Sequence, residues 1–243
     1  LNKPLLTGES VEITTPFKVK LPHASFNGFG YNSFSVRMSK WFPLVSGYAD
    51  SAFYPVANSR DRYSFFNPAN IEVNLALDST IHILSSAKTV KTQRVSGAKI
   101  YSLKAENSTD VTITLFPEIY KFTIPNNFTG GKNVILYYDG TLPKIELNTA
   151  FKNVFAFMKT ELDVELEVPL QILYLKDKKA FESNRNLLVI DQVDKSENIE
   201  AAIIEEWVKV LFGETAHING AQHPWMVQGI AHFYKTHYLR TYY

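Results

Sequence analysis

EEWVKVLFG, Glu205 to Gly213, and HPWMVQGIAHFY, His223 to Tyr234, are the stretches from which the rest of the chain can be read. The first lies in a helical pattern. Over Glu197–Phe212, residues Ile199, Ile203, Trp207, Val210 and Leu211 fall on one stripe, the spacing of an amphipathic helix. Asp194 or Ser196 is placed to cap its start and Gly213 to end it. Pro224 suits the first turn of a further helix that runs to about Arg240, because its fixed φ fits there and its missing N–H has no partner to lose. Glu205 and Lys209 stand one helical turn apart, acid first, the favourable order for an ion pair worth about 0.3–0.5 kcal/mol.

Upstream of these helices, Leu147–Leu162 repeats the same periodicity, with apolar residues at 147, 151, 154, 155, 158 and 162. Between the helical stretches, Val168–Leu175 and Asn186–Asp191 are short apolar runs rich in branched residues, hence strands. The texture before Pro143 is different. Val11–Pro22 and Ser33–Pro43 alternate apolar and polar residues, as half-buried strands do. Ile71–Asp78, Ile81–Ala87, Lys99–Glu106, Asp110–Pro117 and Asn133–Gly140 follow as strands, punctuated by Pro68-Ala69-Asn70, Ser96-Gly97 and Gly130-Gly131. The order predicts an antiparallel β sandwich or saddle over 1–142, then a helix–strand–strand–helix–helix domain over 143–243: an α+β chain.

Composition narrows the chemistry. A net charge of +1 gives no basic field for nucleic acid or an anionic membrane. The absence of cysteine excludes disulfides, thiolate catalysis and Cys-ligated zinc. No run approaches the ~20 apolar residues of a membrane-spanning helix. The chain opens at Leu1, so an upstream segment, a signal peptide among the candidates, is expected to have been removed. Asn107-Ser108-Thr109 and Asn127-Phe128-Thr129 have the form of glycosylation sequons without fixing a compartment. The expected setting is periplasmic, extracellular or cell-envelope rather than cytoplasmic. There is no nucleophile elbow and no phosphate-binding loop; Gly130-Gly131-Lys132 reads as a hairpin turn. The aromatic stretch Tyr31–Phe66 is explained mostly by strand cores.

A peptidase zinc site on a helix needs two His one turn apart, with a Glu beside the first to polarise water, and a third ligand from a following helix. With those requirements in view, the chain resembles the aminopeptidase N family of gluzincin zinc peptidases. The family's H-E-x-x-H helix, ending in Gly, aligns with Glu205-Glu206-Trp207-Val208-Lys209 and Val210-Leu211-Phe212-Gly213. Its W-x-x-E-G-x-A-x-Y helix is matched by Trp225 to Tyr234, and Lys209 to Gln228 keeps the family's spacing. Phe212, Gly213, Trp225, Gly229, Ala231 and Tyr234 fit its framework. Upstream, PLLTGESVEITTPFKVKLP, WFPLVSGYADSAFYP (Trp41–Pro55) and VILYYDGTLPK resemble the family's opening strand, its saddle-domain segment and the entry to its catalytic domain. The resemblance implies a β saddle followed by a thermolysin-like domain, here cut off or naturally short, since the family's later catalytic Tyr would lie beyond Tyr243.

The departures fall on the positions that carry chemistry. Glu205, Lys209 and Gln228 stand at the three ligand positions, and Glu206 alone keeps the residue of the water-polarising base. A charged Lys has no lone pair to give a metal, and Gln is a poor zinc ligand. The stretch Glu182–Asn186, before the strand, lacks the family's G-x-M-E-N loop, which binds the substrate's free amine. The expectation is therefore a zinc site that has been lost, with Glu206 a vestigial base position and no cofactor. A relocated site could use His217, His223, His232 and His237, but His232 and His237 are too far apart along a helix to share a face. Loop and surface imidazoles are the simpler reading. Three functions stay open: a non-catalytic aminopeptidase-like protein that binds a peptide or protein, a metallopeptidase with an atypical site, or a structural portion of a larger cell-envelope protein.

Overall fold

A computed structural model describes residues 6–23, 30–33, 35–49, 52–53, 66–124, 131–138, 146–166, 169–175, 183–191, 196–215, 218 and 223–243. Three β layers are stacked, and helices close one side. The outermost sheet is antiparallel, in the order β5 (Ala69–Asp78), β8 (Ala98–Ser108), β7 (Lys88–Val95). Ser96 and Gly97 make the β7–β8 turn with φ of 43° and 84°, the left-handed pair a tight hairpin requires. The second sheet runs β1 (Gly30–Tyr31), β2 (Val36–Met38), β9 (Ile113–Phe116), β6 (His82–Ser85), also antiparallel. Leu103, Met38, Val111 and Ile113 fill the space between these two sheets, with Ile71, Val73 and Trp41 around them. Tyr48–Ala49 (β3) and Ala52–Phe53 (β4) form a small separate pair.

The third sheet is mixed. β10 (Tyr120–Ile124) pairs antiparallel with β11 (Val134–Tyr138), and β12 (Leu170–Leu175) and β13 (Leu187–Asp191) continue it in parallel. Its inner strands are covered on both faces, which explains their unbroken apolar sequences. Leu170, Ile172, Leu188 and Ile190 face the helices, whereas Leu173, Leu175, Leu187 and Val189 face Leu84 and Phe116 of the second sheet. The helices are α1 (Leu147–Leu162), α2 (Ser196–Val210) and α3 (Pro224–Tyr242). Asp163 ends α1 in the left-handed conformation, its N–H bonded to the Lys159 carbonyl and that of Val164 to Met158.

The α+β class is as expected, with antiparallel sheets first and a helix-covered sheet after. Some elements differ. Val11–Pro22 joins no strand, and almost all of it is exposed. Alternation makes a strand only where a second strand can take up the hydrogen bonds, and before Pro22, whose carbonyl accepts from Tyr31, no described residue does so here. Ser33–Pro43 contributes only the short β2 among its described residues. Strands β7 and β10 form where no strand was expected. β7 is exposed at every residue, so it shows no apolar alternation. Gly213 does not stop the helix at α2; a π-helical turn, Leu211–Thr215, carries it on. The division expected at 142/143 falls between β11 and α1, although β11 pairs with β12 beyond it. Asp194, Gly130 and Asn127 lie outside the described residues.

Candidate functional site

Glu205, Glu206 and Lys209 project from the last turns of α2. The expected ion pair is present: Lys209 Nζ lies 3.1 Å from Glu205 Oε1. The same ammonium is 3.0 Å from Glu206 Oε1, so one cation holds both carboxylates. Each carboxylate spends its other oxygen elsewhere. Glu205 Oε2 takes Lys235 Nζ of α3 at 2.7 Å, and Glu206 Oε2 accepts from Ser183 Oγ, also at 2.7 Å. Ser183 stands just before β13 and is fixed by the Val189 N–H at 2.9 Å. The cluster thus joins α2, α3 and the turn that enters β13.

Electrostatics locks this arrangement. Burial draws the Lys209 ammonium towards neutrality, but the charges and hydrogen bonds of Glu206 and Glu205 outweigh it and hold its pKa above the ordinary value. For Glu205, burial pushes the pKa up, while the Lys235 hydrogen bond and the Lys209 charge pull harder and leave it below the ordinary value. Both groups are therefore charged around neutral pH. Glu206 is 9% exposed, a buried and bonded carboxylate, not a free surface one.

The remaining candidates are dispersed. Gln228 is exposed on α3; two turns on, Lys235 bonds to the cluster. His223 stands at the N-cap of α3 without a side-chain capping bond, His232 is exposed, and His237 pairs with Glu161 at 3.2 Å with its ring against Phe157 and Phe233. His217 and Glu182 lie outside the described residues. Among the described residues, no three His, Asp or Glu side chains converge where a metal ion could sit. Among the framework residues, Ala231 is fully buried, Tyr234 stacks on Phe212 at 6.4 Å, and Trp225 is 71% exposed.

No protein-family model matches the chain, and no curated protein does. Similar solved structures are zinc metallopeptidases. An M1 zinc metallopeptidase from Deinococcus radiodurans superposes with a TM-score of 0.49 at 12% identity, over 69% of this chain and 40% of that one. A mutant of it bound to a Tyr-Ser-Ala substrate gives 0.49 at 13% over the same shares. A two-domain M1 mutant bound to L-arginine gives 0.39 at 11%, over 58% and 34%. The chain thus spans about two-fifths of the length of the first of these structures.

At the helix positions that the sequence resemblance assigns to zinc ligands, the residues present do not suit the ion. Lys209 places a positive charge against both carboxylates, and each of the four carboxylate oxygens of Glu205 and Glu206 already has a partner. A metal would have to displace that ammonium and both other bonds. Ser183 and Lys235, which complete the cluster, were not picked out from the sequence as its members. Ser183 lies in the Glu182–Asn186 stretch, which lacks the amine-binding loop motif. Nothing in the spacing of Lys235 connects it with Glu205, because the pair spans two helices.

A second polar junction lies deeper between the same helices. Glu200 of α2 is 2% exposed and accepts hydrogen bonds from Tyr238 and, at 3.1 Å, from Tyr243. Burial first, then the Glu200 carboxylate, push the Tyr238 hydroxyl far above its ordinary pKa, so it stays a donor. On the other flank, Asn184 is buried against the Asp110 carbonyl and Thr112, and Arg185 reaches the Glu106 carbonyl. The turn holding Ser183 is thereby anchored on the β8–β9 region.

Proposed function

We propose that this chain is a non-catalytic relative of the zinc aminopeptidases, with no zinc at the former ligand positions, and that it acts by binding a peptide or protein where α2, α3 and the turn before β13 meet. One observation carries the reading: the Lys209 ammonium is held by both Glu205 and Glu206, with Lys235 and Ser183 on their remaining oxygens. A water-polarising base needs a carboxylate oxygen free to take a proton. Here Glu206 is committed on both sides. The W-x-x-x-G-x-A framework of α3 supports kinship with the peptidases; the residues at the three ligand positions support loss of their chemistry. A periplasmic or cell-envelope setting belongs to the same proposal.

The test is metal stoichiometry together with peptide binding. After dialysis against trace Zn²⁺ and removal of free ion, mass spectrometry is expected to find close to no zinc per chain, and calorimetry against a peptide library to find ligands. About one zinc per chain, or zinc-dependent peptide hydrolysis, overturns the reading.

A further inference from the structure

Two features of the β region are incomplete in the same way. Glu9–Thr15 has the alternation of a strand, yet Val11 is 45% and Ile13 75% exposed, and no described residue pairs with its backbone between Ser10 and Thr15. The segment is tethered at its far end, where Leu21 packs against the first core and the Pro22 carbonyl accepts from Tyr31 at 2.9 Å. The second feature is β7. It is one of the two outer strands of the β5–β8–β7 sheet and carries no proline; all its side chains are exposed. Such an edge presents unpaired N–H and C=O groups and is a template for a further strand.

The two match in charge and shape. β7 bears Lys88, Lys91 and Arg94 and no acid, whereas Glu9 and Glu12 are the only charges in the unpaired stretch. Laid antiparallel, one register places Glu12 opposite Lys91 and Glu9 opposite Arg94 together. That register also puts Ile13 against Val90, a residue 62% exposed that the β7 bulge leaves without a partner on β8. Pro16 then ends the pairing, as a residue without an N–H must.

We propose that Glu9–Thr15 of one copy adds as a strand to the β7 edge of a second copy, and that the exchange is reciprocal. Donor and acceptor lie on the same chain, so a two-fold dimer satisfies both edges with one contact used twice. The exposed Ile13 and Val90 are covered, and the edge no longer offers itself to unspecific pairing.

Light scattering on the full chain after size-exclusion chromatography is expected to give the mass of a dimer. Glu12→Lys and Lys91→Glu should each raise the dimer Kd about tenfold, because symmetry repeats each like-charge pair. The double variant Glu12→Lys/Lys91→Glu should restore it, and Glu9→Lys with Arg94→Glu should behave in the same way. Ile13→Asp should leave monomer. These side chains are exposed in the single chain, so the monomeric variants should still unfold cooperatively, with the Tm of wild type diluted below its dimer Kd. A monomer at every concentration overturns the proposal. So does a dimer that the single swaps do not weaken, or one that the paired swaps fail to rescue.

Discussion

Helices α2 and α3 are joined at two levels, and the two junctions work by different means. Near the end of α2, Glu205 and Glu206 meet Lys209 and Lys235, partly open to water. About one and a half turns back along α2, Glu200 is shielded from solvent and is met by the hydroxyls of Tyr238 and Tyr243. The upper junction balances charge with charge, two acids against two ammonium groups. The lower one holds a carboxylate with hydroxyl donors inside an aromatic cluster where Tyr238 stacks on Tyr242 and meets Phe157 edge-on. Ion pairs that touch water contribute modestly because water competes for both partners. A buried carboxylate depends far more on each donor, since nothing replaces a lost one.

Removing a donor from each junction measures that difference. Tyr238→Phe keeps the ring packing and takes away one hydroxyl, leaving Glu200 short of a donor; a loss of about 2–3 kcal/mol of unfolding free energy is expected in urea titrations. Lys209→Met leaves two carboxylates facing each other without their shared cation, and about 1–2 kcal/mol should be lost. Lys235→Met, which removes the more exposed partner, should lose about 0.5–1 kcal/mol. If Tyr238→Phe proves milder than Lys235→Met, the contrast between the junctions fails.

Acid and base sharpen the same contrast. The pKa of Glu205 is depressed in the folded chain, so its contribution is present above the unfolded value, ordinarily 4.5, and is lost as pH falls through the lower folded value. The pKa of Lys209 is raised, so its contribution is complete below the ordinary 10.5 and is lost as pH climbs through the higher folded value. The stability contributed by these two groups is therefore flat between those limits. The stability difference between wild type and Lys209→Met, followed by Tm, should be constant from about pH 5 to 10 and should shrink on either side.

The sequence disclosed much of the helical half and less of the β half. Leu147–Leu162 is a helix between the same residues that its periodicity marks, and β12 and β13 lie within the expected apolar runs. β7 was hidden because a strand exposed along its whole length has no apolar rhythm. Val11–Pro22 misled in the opposite direction: it has the rhythm but, among the described residues, no backbone partner before Pro22. In the site, the Glu205–Lys209 pair was legible because both ends share one helix face. The links from Glu205 to Lys235 and from Glu206 to Ser183 were not.

That division has one physical origin. A helix satisfies its hydrogen bonds within itself, so Leu147–Leu162 and the lysine one turn from Glu205 are fixed by neighbours in sequence. The absence of imidazole at positions 205 and 209 is likewise a matter of sequence alone. Strand pairing and interhelical ion pairs close only when distant segments are brought together. Tertiary structure alone decided that β10 and β11 share a sheet with β12, that Lys235 takes the second oxygen of Glu205, and that Ser183 takes that of Glu206. Those contacts turn a pair of charges on one helix into a closed, fully partnered cluster.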